Sequence, residues 1–235
     1  MRTRLALNYK GVKYTESFIS YPDITPLLKS FNVPPLEGVA PYTLPAIQHR
    51  PSISEETSGV MNNSLPIALY LDKRFPAPKY SPLFPSSGSY ALTLAVQDII
   101  SRAAVQGRVI IIPKIVHRLD LRGADYFRRT RKQWFGCDSL DEISPHGEDL
   151  TTVWSSLTSE LDVLSKMLRG PDGKTGPFLE GDQAGYADFV VVAFLTWFEC
   201  ADRADWEKLV SIGSGELKRL WDACLPWLEG QGEEL

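Results

Sequence analysis

Cysteine is scarce in this chain: Cys137, Cys200 and Cys224 are the only three in 235 residues, and no two are in C-x-x-C spacing. An odd, scattered set leaves no disulfide framework and points to a reducing compartment. Histidine is equally sparse, with His49, His117 and His146 far from one another and from the cysteines in sequence, so no zinc spacing is present. Long apolar runs are missing too. The longest, Phe189 to Phe198, is ten residues with Thr196 inside it, too short to span a bilayer. A basic surplus is absent, since 25 Lys and Arg face 29 Asp and Glu for a net charge of −4, which leaves no electrostatic footprint for nucleic acid. The basic start Met1-Arg2-Thr3-Arg4 is followed only by Leu5-Ala6-Leu7 before Asn8, so no signal peptide is read. These absences imply a cytoplasmic chain with neither nucleic acid nor membrane as partner. What is present is ordinary globular material, 43% hydrophobic and 23% charged, enough for a substantial core.

The clearest division falls between Pro76 and Ser89, where PAPKYSPLFPSSGS holds four prolines, four serines and a glycine. Proline removes backbone donors and fixes φ, so neither a helix nor a central strand runs through this stretch. The expected organisation is a small mixed domain over 1–75, a linker over 76–89 and an all-α domain over 90–235. In the first part, Thr3 to Tyr9 reads as the end of a helix closed by Gly11. Val12 to Ile19 and Tyr42 to Gln48 read as strands, and Gly59 to Met61 as a third, very short one. Thr25-Pro26 opens a short helix through Phe31, on the reading of a cap followed by proline. Pro34 to Pro41 is a loop, Ser52 to Ser58 a polar excursion, and Ser64 to Phe75 a helix burying Ile67, Ala68 and Leu71.

In the second part, Tyr90 to Val105 has helical periodicity, with Gly107 and Pro113 expected to bend or break the continuation to Leu121. Asp125 to Phe135 is a short basic helix, and Glu148 to Leu168 an amphipathic one ended by Gly170. Asp188 to Glu199 is apolar all round, the mark of a helix at the centre of a bundle. Gly215 to Leu228 is the last helix.

Composition and spacing provide no catalytic set. There is no GxGxxG or GxxxxGK[ST] loop, and no defensible Ser-His-Asp order. His117 and His146 read as surface or satisfied polar residues, Asp138, Asp141 and Glu142 as a solvated cluster, and Arg128-Arg129-Thr130-Arg131-Lys132 as a solvated helix face. Two short pieces say more. Tyr42-Thr43-Leu44-Pro45 is a strand broken by proline, tolerated at an edge or as a cis bond, and either way the amide and carbonyl of Leu44 stay free to pair with an extended peptide. Asn63-Ser64 opens a helix whose unpaired N–H groups and positive dipole end suit a carboxylate, although on spacing alone a plain helix cap is the better explanation of Ser64.

On these residues the chain resembles the cytosolic glutathione transferases, which join a thioredoxin-like domain to an all-helical one. In that family the residue before the cis-proline pairs its backbone with the cysteinyl part of glutathione, the position of Leu44 before Pro45. A serine at the helix start holds the γ-glutamyl carboxylate, the position of Ser64. Gly181 to Asp188 resembles the family's capping motif for a buried helix, with Gly185 where a serine or threonine is usual. The segments Thr3 to Gly11, Tyr21-Pro22-Asp23-Ile24, Tyr42 to Pro45 and Ala124 to Arg129 resemble the fungal-specific FuA class and the bacterial lignin β-etherases.

The resemblance implies glutathione as co-substrate and no metal, with Leu44, Pro45, Asn63 and Ser64 at its site. Electrophilic apolar or aromatic compounds would be the second substrates, held between the domains against the helix from Tyr90 to Val105, and a homodimer is implied. It also implies a strand and a catalytic serine before the helix containing Arg4. Met1 already falls at that helix, so no catalytic residue is assigned, and the natural start is expected to lie upstream. Asn63 places an amide where an acidic residue or glutamine is common. Two other readings remain at this point, a non-catalytic carrier of hydrophobic small molecules and a protein-interaction module.

Overall fold

The computed structural model describes residues 1–38, 40–54, 57–230 and 232–234. Val39 of the proline-rich loop and Glu55 and Glu56 of the polar excursion lie outside the described residues.

The first helix, α1 (Arg2–Lys10), buries Leu5, Ala6 and Leu7. Gly11 ends it in the left-handed region, φ 66°, where a glycine carries no Cβ penalty. The strand expected over 12–19 contracts to β1 (Thr15–Glu16). The next helix, α2 (Tyr21–Ser30), starts four residues before the expected Thr25. Pro22 in its first turn takes the role assigned to Pro26, and Pro26 lies inside the helix. Strand β2 (Ala46–Gln48) is the end of the expected 42–48 strand, and β3 (Val60–Asn62) pairs with it antiparallel. Next comes α3 (Ser64–Arg74), which buries Ile67, Ala68 and Leu71 as its periodicity requires.

Among the described residues, no helix or strand lies between Arg74 and Ser89. Beyond it, α4 (Ser89–Ile115) runs unbroken through both Gly107 and Pro113. Gly107 is not a break but a point of close approach: a Cβ there would stand 3.0 Å from the Phe198 ring. Pro113 falls in the last turn, where its missing N–H deprives the Val109 carbonyl of its helical donor but only two helical residues follow. Then come α5 (Leu121–Phe135), α6 (Gly147–Arg169), α7 (Tyr186–Ala201), α8 (Arg203–Val210) and α9 (Glu216–Leu228). The apolar α7 is the bundle's axis, packing on α1, α4, α8 and α9. Tyr9 fixes the first part to this axis. Its ring meets Phe189 and Trp227 edge-on at 5.3 and 4.8 Å, and its hydroxyl donates to the Ala184 carbonyl at 3.0 Å.

The basic helix α5 is not simply a solvated face. The Arg131 guanidinium stacks on Phe127 and Trp134, each 4.1 Å away, and Arg122 pairs with Asp23 of α2 at 2.7 Å. Finally, β4 (Glu233–Glu234) lies parallel to β1, with Thr15 opposite Glu233. Asn8 holds the approach to it, donating from Nδ2 to the carbonyls of Trp227 and Gly230 at 2.7 Å each. Among the described residues the strands form two separate pairs, β1 with β4 and β2 with β3. No helix among them is long and apolar enough to cross a membrane.

Candidate functional site

The hairpin of β2 and β3 brings the two sequence signals together. Its last cross-strand pair is Ala46 with Asn62. Leu44-Pro45 therefore enters the ladder beside the point where Asn63-Ser64 leaves it. The Leu44–Pro45 bond is cis. Leu44 is over a third exposed, and neither its N–H nor its carbonyl bonds to any described residue. An extended peptide laid along this edge would find one donor and one acceptor at strand spacing.

The opposite wall is the start of α3. Asn63 adopts φ 71° and ψ 121°, a left-handed φ that side chains other than glycine rarely take. This turn sets the helix axis without using a side-chain cap. The first intrahelical bond there runs from Ile67 N–H to the Asn63 carbonyl, 3.1 Å. Pro66 has no N–H, and the amides of Ser64 and Leu65 are unpaired among the described residues. Two free donors and the positive end of an eleven-residue helix thus face one spot. That arrangement suits a carboxylate, with the Ser64 hydroxyl as a further donor beside the two amides.

Two further residues that sequence reasoning did not assign are Tyr186, beside Ser64, and Arg2, within electrostatic reach of Tyr186. The first residue of α7, Tyr186, is 1% exposed, and its hydroxyl has no hydrogen-bond partner among the described residues. It lies beside Ser64, outside hydrogen-bond geometry, and burial pushes its acidity down, so it stays a phenol. Arg2, in the first turn of α1, is half-buried within electrostatic reach of Tyr186, and burial lowers its pKa. It forms no ion pair with any described residue. The only sequence signal for Tyr186 is its place just after the helix-capping glycine; Arg2 has none.

The Gly185 cap works through Asp188 alone. Glycine offers no side-chain oxygen, but the Asp188 carboxylate accepts from the N–H groups of Gly185 and Leu179, each at 2.8 Å. Burial pushes its pKa up to about 7 in spite of both bonds.

The structure also gathers His117 and His146, read as isolated in the sequence, with Lys114, Arg118, Asp141 and Asp202 around a cavity of about 580 Å³. This cavity lies at the far end of α4 from 90–105, and every residue lining it comes from the second part of the chain. Among the described residues, no group of three or more His, Cys, Asp and Glu is placed to hold a metal ion.

Comparison with known proteins agrees with this geometry. The family model described as the glutathione S-transferase N-terminal domain matches residues 1–74, and that of the C-terminal domain matches 91–227. The curated protein "Glutathione S-transferase-like protein ustS" of Aspergillus flavus is 46% identical, over all of this chain and 85% of its own length. A glutathione S-transferase of Ceriporiopsis subvermispora, solved in complex with glutathione, superposes with a TM-score of 0.82 at 27% identity, over 96% of this chain and 89% of its own. Glutathione transferase GSTFuA3 of Phanerochaete chrysosporium superposes with a TM-score of 0.81 at 27% identity, over 96% of this chain and 88% of its own. The chain belongs to the glutathione S-transferase family. Its fold is that family's thioredoxin-like N-terminal domain followed by its helical C-terminal domain.

Proposed function

We propose that this protein binds glutathione on Leu44, Pro45, Asn63 and Ser64 and joins its thiolate to an electrophilic apolar or aromatic compound, or cleaves an aromatic ether by thiolate displacement. The observation that carries the reading is the convergence of the free Leu44 backbone and the free α3 amides at one end of a single hairpin. The first suits the cysteinyl peptide and the second a carboxylate, so the tripeptide is bound by its backbone and by one end. Binding in this cradle fixes the thiol relative to a second substrate, and such positioning removes part of the barrier to a bimolecular reaction.

Ser64 is the one hydroxyl among the four residues, and it faces the carboxylate end rather than the thiol. That feature favours a second reading, a non-catalytic carrier of hydrophobic small molecules. Conjugation of a model aryl halide decides between them. Turnover that scales with protein concentration and is lost on heating supports the transferase; saturable binding of an apolar fluorescent probe without turnover supports the carrier.

A further inference from the structure

We propose that Tyr21, Asp23 and Arg122 are positioning residues for glutathione: the clasp they form between α2 and α5 holds the Leu44–Pro45 edge ready for the cysteinyl peptide. This inference rests on the glutathione reading above and extends it to a contact between the two parts of the chain.

The clasp joins two segments that the sequence singles out and the site leaves unused, Tyr21-Pro22-Asp23-Ile24 and Ala124 to Arg129. Its polar part is specific. The Arg122 guanidinium donates to both Asp23 carboxylate oxygens, at 2.7 and 3.1 Å, a fork that fixes orientation as well as distance. Ser20 stands at the N-cap of α2 but does not cap it; its hydroxyl donates instead to the Asp120 carboxylate at 3.1 Å. The same Asp120 oxygen accepts from the Gly123 N–H at 2.9 Å and so caps α5. One oxygen thus ties together the starts of both helices. The approach is close, since a Cβ on Gly123 would stand 2.7 Å from the Asp120 carboxylate and 3.3 Å from the Ser20 hydroxyl.

The apolar part runs through Tyr21. Its ring meets Phe127 edge-on at 5.5 Å and packs on the small core of Ile112, Val116, Ala124, Phe127 and Leu140. It packs equally on a second small core, Ile24, Leu28 and Val33. Tyr42, Ala46 and Val60 of the hairpin region lie against that second core, and Leu44 sits between Tyr42 and Ala46. Ile47 and Met61 anchor the other face of the hairpin to the main core. The face that carries Ala46 is therefore held by α2, and α2 is held by α5. An edge already kept in its bound shape loses less freedom when the peptide arrives, and that difference appears as affinity.

The test is calorimetric titration of reduced glutathione into the full chain and its Asp23→Ala, Arg122→Ala, Asp23→Ala/Arg122→Ala and Gly123→Ala variants. Each single alanine at the ion pair is expected to weaken glutathione about threefold to fivefold. The double variant should lose no more, because the two residues make one contact. Gly123→Ala should weaken binding as well, although alanine favours the helix, since its Cβ pushes Ser20 away from Asp120. Amide exchange gives a readout that a merely structural pair would not move. Coupling is reciprocal, so glutathione should slow exchange over 121–135 in wild type and leave it unchanged in Arg122→Ala.

Unchanged glutathione affinity in both single alanine variants overturns the inference and leaves the glutathione reading standing. Wild-type exchange over 121–135 that ignores bound glutathione does the same, and losses that add in the double variant overturn the clasp as one unit. A folded wild type that binds no glutathione overturns both readings at once.

Discussion

The Lys10 ammonium lies 2.7 Å from the Asp72 carboxylate, and the lysine side chain is completely buried. Lys10 also donates to the Ser81 carbonyl at 2.8 Å, while Asp72 accepts from the N–H groups of Leu83 and Phe84 at 2.8 and 3.3 Å. One ion pair therefore ties α1, α3 and the connecting stretch together, and so fixes the helix that carries Ser64. Removing one member leaves the other charge without its partner. Lys10→Ala is expected to cost about 3 kcal/mol, read as a lower urea midpoint with an unchanged slope. A loss below about 1 kcal/mol, the value of an exposed pair, would contradict this account.

Asp188 makes a prediction about pH. Its folded pKa, raised to about 7 by burial, lies above the ordinary carboxylate value of 3.8. Between those two values the folded state holds more protons than the unfolded state, so the contribution of Asp188 to stability falls as pH rises. Compared with Asp188→Asn, which does not titrate, the wild-type advantage should shrink from about pH 4 to about pH 7 and then level off. Urea titrations of both proteins at four pH values measure it directly. An advantage that grows over that interval would mean that the two N–H bonds outweigh desolvation.

At Gly107 two effects oppose each other. Alanine in a helix interior gains about 1 kcal/mol over glycine, but its Cβ would sit 3.0 Å from the ring of Phe198, which is itself fully buried. The ring has no room to retreat, and overpacking of this kind costs about 1–3 kcal/mol. Gly107→Ala should therefore destabilise by about 1 kcal/mol net, and calorimetric melting would show it. A raised melting temperature would mean that α4 and α7 can move apart.

The left-handed Asn63 separates conformation from contact. Since φ is 71° there, Asn63→Ala should lose about 1 kcal/mol of stability while Asn63→Gly stays close to neutral. Chemical denaturation of the pair tests this. Equal losses in both would assign the effect to the asparagine side chain instead.

Much of the framework is legible in the sequence, and the failures have physical causes. The helix α3 can be read because Ile67, Ala68 and Leu71 repeat at helical spacing, and α7 because its apolar run has no polar face. The start of α2 is misplaced because two prolines, Pro22 and Pro26, both suit a first turn, and local sequence does not rank them. No expectation covered α8, although a signal exists: Asp202 caps it by accepting from the N–H groups of Ala204 and Asp205, and Trp206, Leu209 and Val210 come next at buried spacing. The strands come out shorter than their β-branched runs suggest, because strand length depends on a partner far away in sequence. For β1 that partner is β4, more than two hundred residues on. At the candidate site, Leu44, Pro45, Asn63 and Ser64 are legible because proline and a helix start leave local marks. Tyr186 comes beside Ser64 only through the packing of α7, so no local pattern betrays it.

The most direct test of the central claim is a calorimetric titration of the wild-type chain and Ser64→Ala with reduced glutathione. Saturable one-site binding by wild type, weakened about tenfold or more in a normally folded Ser64→Ala, is the predicted result. Equal binding by the two proteins, or no binding by a folded wild type, would contradict it.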